Sequence, residues 1–385
     1  MNKFFKDLKV ALVGWTPELL LLVTDIIMLA ASGKMEEVAG ASVAGIALGA
    51  IGKVARVPQG ITIKLAEKYS RRRRELLSLN FVWALISLGA LGMLWTLAKP
   101  FETFVGLQGM AGYLSWAVPA VVLIRLGSPA WAALSTNLAR ESERMWLPWL
   151  TSLSNVAFTY WFVNHMGMGS KGAALGTFLA EIVPTYLVIR WSFKDGLLGL
   201  PTNLRSVPLV LERSKKPLVG ASLGLVASLV GIALNRWLGP EGAKRWSLAH
   251  TACDVVGGIS LALWYIGAKH YTLNLRDKIM ASAIWRWADK WGLVISTAGA
   301  VVSALVDPIA PLIVVVYCLA KRQAFLRYRE ATAEGFNAQG RGKTAYAVCC
   351  IVGYGILVLA VEPSTWAAVA VYTTAQVAQI MAMRD

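Results

Sequence analysis

Apolar stretches about twenty residues long recur along the whole chain, separated by short polar gaps. A helix of about twenty apolar residues is what a bilayer crossing needs. The pattern predicts spans near 10–31, 38–63, 76–97, 111–138, 146–165, 171–191, 217–238, 247–268, 281–304, 308–327, 344–361 and 364–382. The expected fold class is all-α: a polytopic membrane protein of about twelve transmembrane helices. The ninth run is the least apolar, because Arg286, Asp289 and Lys290 fall in its first half. No small-residue cleavage site follows the first run, so a permanent span is expected there, not a removable signal.

Composition agrees: 56% of the residues are hydrophobic, and the sixteen tryptophans suit interfacial rings. The net charge of +16 would suggest nucleic acid in a soluble protein. In a polytopic one, positive charge gathers in cytoplasmic loops. With the N-terminus inside, the inner segments hold 26 Lys and Arg and the outer loops six. That ratio predicts both termini cytoplasmic in the plasma (cell inner) membrane, an even number of spans, and no nucleic-acid partner. The run "RRRR" at 71–74 reads as a topology determinant beside anionic lipid. Cys253, Cys318, Cys349 and Cys350 sit in apolar runs without metal-ligand spacing, so no disulfide or zinc framework is expected.

The longest inner gap, 192–216, separates six spans from six. Two halves, 1–191 and 217–385, joined by a cytoplasmic linker, are expected. Each half shows a Pro, a long span, an outer loop, a small-residue-rich span and a basic inner loop. Transporters are often built from such repeats.

Charges inside the apolar runs are the candidate chemistry. Asp25, in "LLVTDIIML", needs a cavity or a partner at that depth. It suits proton carriage or Na⁺ ligation; a buried carboxyl bonding a neighbouring helix is the structural alternative. Glu18 lies two turns earlier, as an ion or substrate contact or an interfacial residue. Lys53 and Arg56, three apart, share a face of the second span, beside Pro58 and Gln59. They are either ion-pair partners for Glu18 or Asp25, or a cationic wall for an anionic ligand, which Arg125 could join. His250 and Asp254, four apart, form a structural pair or part of a pathway. Asn164, Asn235, Gln376 and Gln379 read as helix–helix contacts. The chain shows no nucleotide-binding loop, zinc spacing or nucleophile elbow, so neither an enzyme nor an ATP-driven pump is expected.

Three stretches carry a family resemblance. "PELLLLVTDIIMLAASGKMEEVAGASVAGIALGAI" resembles the first two helices of multidrug and toxic compound extrusion (MATE) transporters. "LIRLGSPAW" is similar to their fourth helix. "NHMGMGSKGAALGTFLAE" is similar to their Gly-rich turn into helix 6. The wider superfamily includes flippases for lipid-linked sugars. The resemblance implies a cation-coupling network of Asp25 with Asn155 and Thr177. Where the family carries a second Asp, four residues after the Asn, this chain has Thr159. Asp25 is then the only carboxylate of the network, and Glu181, one turn past Thr177, is a candidate second.

The leading expectation is a secondary active exporter working by alternating access, driven by H⁺ or Na⁺ through Asp25, with no other cofactor. Its small-molecule substrate would be anionic or zwitterionic, since a basic wall of Lys53, Arg56 and Arg125, with Glu18, Gln59 and Asp254 nearby, repels organic cations. A monomer in the lipid bilayer is expected. The alternatives are a flippase for a lipid-linked pyrophosphate precursor, and a non-transporting membrane scaffold.

Overall fold

The computed structural model describes residues 24–69, 72–135, 141–199, 204–273, 278–305, 307–329, 333–360 and 362–383, without the side chains of some of them. Every regular element among them is helical. After α1 (residues 24–31) come α2 (Met35–Lys68), α3 (Arg73–Ser78), α4 (Asn80–Thr96), α5 (Ala98–Val105) and α6 (Met110–Ser135). Next are α7 (Glu141–Tyr160), continued by a π-turn (Trp161–His165), then α8 (Gly169–Lys194) and the long run α9 (Val207–Leu273). The last four are α10 (Lys278–Ser303), α11 (Ala310–Arg329), α12 (Ala333–Ala360) and α13 (Thr365–Ala382).

Each expected span falls on a helix, the first over residues 24–31 only. Among the described residues, five helical segments are long and apolar enough to cross a bilayer. Glu36–Gly52 with Val57–Ile63 makes a sixth, bent by 47°. The protein is an all-α, multi-pass membrane protein. The bend has a cause in Pro58, which has no N–H for the carbonyl of Val54 and whose ring crowds it. The break therefore covers 53–56, the positions of Lys53 and Arg56. Between the seventh and eighth spans the expected loop shrinks to a break at Gly239 (φ 68°, ψ 178°), a conformation that glycine tolerates without strain.

The chain forms two compact units, one made of residues 20–232 and the other containing residues 233–385. In the first, α6 and α8 run parallel and in contact. Ser170 Oγ donates to Gly109 O (2.8 Å) at one end, Gly127 meets Thr185 midway, and Ser192 Oγ donates to Ala130 O (3.1 Å) at the other. The Gly-rich turn before α8 is explained by its backbone. Gly167 and Gly169 both take positive φ, and the Glu37 carboxylate of α2 packs onto Gly169 and accepts from the Ser170 N–H. A carboxylate at a helix N-terminus satisfies free N–H groups and faces the positive end of the helix dipole. At the far end, Ala66, Leu76, Leu77, Leu79, Leu134, Leu147, Val188 and Leu198 form a buried apolar cluster.

In the second unit small residues again permit close helix contact. Gly257 lies against Tyr317, Gly267 against Ala288 and Gly292 against Trp264. Of the charges that made the ninth run least apolar, Arg286 and Lys290 are exposed and Asp289 has a partner. Asp289 of α10 receives two 2.6 Å hydrogen bonds from the Arg322 guanidinium of α11. Such a bidentate pair offsets part of the cost of removing both charges from water.

Candidate functional site

Asp25 sits in α1 and is buried. Its contacts come from three other helices of the first unit. Tyr113 of α6 donates its hydroxyl to Oδ2 at 2.8 Å. Thr177 of α8 lies 3.2 Å from Oδ1 and 3.1 Å from Oδ2. Thr159 of α7 lies 3.4 Å from Oδ1. Asn155, one turn before Thr159, turns its Oδ1 to both threonines, at 2.7 Å from Thr159 and 3.3 Å from Thr177. The sequence-predicted set Asp25, Asn155 and Thr177 therefore meets at one place, with Thr159 beside it.

Helical spacing explains the convergence. Asn155 and Thr159 are four apart and share a face of α7. That face meets α8 at Gly176, whose missing side chain lets the backbone of α8 approach Thr159. Thr177 is the next residue. The π-turn begins at Trp161, two residues past Thr159; single π-turns often accompany functional sites.

The cluster is rich in acceptors. Three hydroxyls, with one proton each, face both oxygens of Asp25 and Oδ1 of Asn155. Nδ2 of Asn155 is buried with no hydrogen-bond partner among the described residues. All hydrogen-bond partners of Asp25 among the described residues are neutral hydroxyls. Among the described residues no group of three or more His, Cys, Asp or Glu side chains is placed to hold a metal ion.

Tyr113 was missed by the sequence reading. It opens the fourth span, where a tyrosine reads as an interfacial ring. Its removal has a definite expected cost: Tyr113→Phe should lower the thermal-unfolding midpoint of the detergent-solubilised protein. A hydrogen bond to a charged group contributes about 1.5–3 kcal/mol. An unchanged midpoint would mean that the hydroxyl does not act on Asp25.

Glu181 is buried on α8 one turn past Thr177, and it makes no hydrogen bond or ion pair among the described residues.

The candidate substrate residues divide. Arg125 of α6 is buried, and its guanidinium packs directly onto Gly52 of α2. Gln59, also buried, donates from Nε2 to Ser128 Oγ at 3.1 Å. Ser128 Oγ in turn donates to the carbonyl of Arg125 (2.8 Å). A polar seam thus joins α2 to α6 across the bend. By register, position 56 falls between Gly52 and Gln59, four after one and three before the other. The side chains of Lys53 and Arg56, and all of Glu18, lie outside the described residues. In the second unit Asp254 is exposed, and the His250 ring meets Trp246 and Tyr372 edge to face, with ring centroids 4.6 Å and 5.1 Å away. Asn164 is exposed, while Asn235, Gln376 and Gln379 are buried.

No protein-family model matches the chain, and no curated protein matches it by sequence. Solved structures do match over nearly its whole length. The eukaryotic MATE transporter AtDTX14 is similar with a TM-score of 0.65 at 14% identity, covering 100% of this chain and 95% of that one. An inward-facing multidrug resistance MATE family transporter of the MOP superfamily gives 0.65 at 17% identity, over 97% and 96%. A MOP superfamily transporter from Pyrococcus furiosus gives 0.60 at 14% identity, over 99% and 94%. A helical membrane chain with this element order and this coverage has the fold of the MATE transporters.

Proposed function

We propose that the protein is a secondary active exporter of a small organic solute, anionic or zwitterionic, working by alternating access and driven by H⁺ or Na⁺ through Asp25. The observation that carries this reading is the Asp25 cluster. It gathers a carboxylate, an amide oxygen and three hydroxyls from four helices, with no cationic side chain among the described hydrogen-bond partners of Asp25. A proton on Asp25, or a small hard cation among these oxygens, supplies the positive charge that the cluster lacks. Oxygen-only surroundings suit such cations. When the cation leaves, turning over the Asn155 amide would offer its two Nδ2 protons to the same oxygens without moving the backbone. Glu181, one turn along α8, is the position for a second proton.

The polar seam of α2 and α6 supports the anionic or zwitterionic substrate class. A guanidinium within a membrane-spanning helix is costly and is met by polar surroundings, and Arg125 stands on the polar seam with Ser128 and Gln59. Its planar fork matches a carboxylate or phosphate, and like charge discourages organic cations. The Pyrococcus furiosus transporter of this fold is described as having a binding pocket of reverse polarity, which suggests a different function. A basic substrate wall here would be a comparable departure from cation export.

A binding screen tests the substrate class. Organic anions should raise the thermal-unfolding midpoint of the detergent-solubilised protein, and organic cations of equal size should not. Arg125→Met should weaken the anion effect by roughly tenfold or more, the loss of one charge-assisted contact. Selective stabilisation by cations, or an anion response untouched by Arg125→Met, would rule the basic wall out.

A further inference from the structure

The α1–α2, α5–α6 and α7–α8 turns meet around one carboxylate. Glu37, in the first turn of α2, accepts from the Ser170 N–H at the start of α8. It lies against Gly169, where any side chain would overlap it. Its Cβ and Cγ stand 3.0 Å from where a side chain on Gly109 would begin, just before α6. Ser170 Oγ closes the triangle by donating to Gly109 O at 2.8 Å. Beside this junction Gly40 packs onto Gln108 O, and Lys34 Nζ donates to Gly167 O.

Glu37 fits onto backbone at both glycines, and backbone cannot turn aside as a long side chain can. The first N–H groups of a helix have no partner within it, and a carboxylate there also faces the positive end of the dipole. Glu37 thus sets the start of α8 against α2 and against the start of α6. These are the helices whose hydroxyls face Asp25. Thr177 follows Ser170 by seven residues, two turns along the same face of α8. Tyr113 follows Gly109 by four, and its N–H donates to Gly109 O at 2.9 Å. Tyr113 reaches Oδ2 of Asp25 at 2.8 Å and Thr177 reaches it at 3.1 Å. Hydrogen bonds weaken steeply outside their normal distance and angle, so small shifts at either helix start are felt at Asp25.

We propose that Glu37 is a positioning residue for the Asp25 cluster. Through Ser170 and Gly109 it sets the depth of Thr177 and Tyr113, and so how well their hydroxyls meet Asp25. Its effect travels through the two helices. Glu36, the neighbouring carboxylate in the first turn of α2, is exposed and makes none of these contacts. The inference deepens the export reading and rests on Asp25 as the group that binds the driving cation.

The test is a double-variant cycle on the detergent-solubilised protein, read as thermal-unfolding midpoints. If Glu37 places Tyr113, the drop caused by Tyr113→Phe should shrink to about half or less in a Glu37→Ala background, because residues of one network do not act additively. A simple helix cap would lower the midpoint and leave that drop unchanged. Glu37→Gln keeps an oxygen at the same reach and should restore the full drop. Glu36→Ala removes equal charge from the same helix end and should leave the drop as it is in the wild type. No drop from Tyr113→Phe in the wild type, additive drops, no recovery in Glu37→Gln, or equal behaviour of Glu36→Ala would each overturn the inference. Glu37→Asp, one methylene shorter, decides in the same way as Glu37→Ala if that variant does not fold. In proteoliposomes Glu37→Ala should need several-fold more H⁺ or Na⁺ for half-maximal uptake, at unchanged solute affinity. A wild type indifferent to both cations would overturn the export reading itself. A wild type that responds, matched by Glu37→Ala, would overturn this inference alone.

Discussion

Asp25→Asn is expected to abolish gradient-driven export while leaving the protein folded and able to bind its solute. The substitution keeps the shape of the side chain and removes its charge and its exchangeable acid proton. Tyr113 can still donate to the amide oxygen at the Oδ2 position, so the packing of α1 against α6 should persist. What disappears is the group proposed to bind the driving cation. Coupling between two sites is typically about 1–3 kcal/mol, or about 5- to 150-fold in affinity. A loss near the upper end of that range is expected in the response to an imposed pH or Na⁺ gradient. Solute-for-solute exchange, which needs no net cation movement, should survive. The split between the two activities separates a coupling residue from a merely structural one.

Gly176→Val is expected to damage both stability and transport. A side chain at 176 would place its Cβ 2.5 Å from Thr159 Oγ1, 2.7 Å from its backbone nitrogen and 2.9 Å from its Cα. Two of those atoms belong to the α7 backbone, so rotamer changes cannot relieve the clash. The helices must separate, and overpacking of this kind costs about 1–3 kcal/mol or more. Separation also draws Asn155 and Thr159 away from Thr177 and Asp25. Gly49→Val is the matched control, because nothing lies within 4 Å of an added Cβ there. Thermal unfolding in detergent should show a lower midpoint for Gly176→Val and a far smaller change for Gly49→Val. Equal melting of the two would mean that α7 and α8 do not meet as closely as described.

The helices were legible because the bilayer sets one length, and the apolar runs had to meet it. Their edges were less so. The gap between the expected spans 217–238 and 247–268 holds Gly239-Pro240, and proline is well placed at the first position of a helix. The chain breaks at Gly239 and continues as helix from Pro240. Asp25, Asn155 and Thr177 could be grouped through the resemblance of their stretches to a known pattern. Tyr113 could not, since a tyrosine at a span end has a sufficient reason to be there without any partner. Depth was the usable signal: Asp25 lies late in the first span and Tyr113 early in the fourth, so both fall near the same edge of the expected bilayer. Glu181 was grouped with the cluster by its spacing from Thr177, and it lies buried on the same helix one turn further along. Pro58 was visible beside Lys53 and Arg56, but the 47° bend that it brings depends on how α2 packs, which no spacing rule supplies.

The most direct measurement is gradient-driven flux in proteoliposomes carrying either the wild type or Asp25→Asn. A panel of organic anions and cations would be offered under an imposed pH gradient, an imposed Na⁺ gradient, or neither. The account predicts that the wild type accumulates members of the anion panel only when one of the two gradients is present. It predicts that Asp25→Asn exchanges the same solutes but accumulates none. Accumulation by Asp25→Asn under either gradient, at the wild-type level, would contradict it.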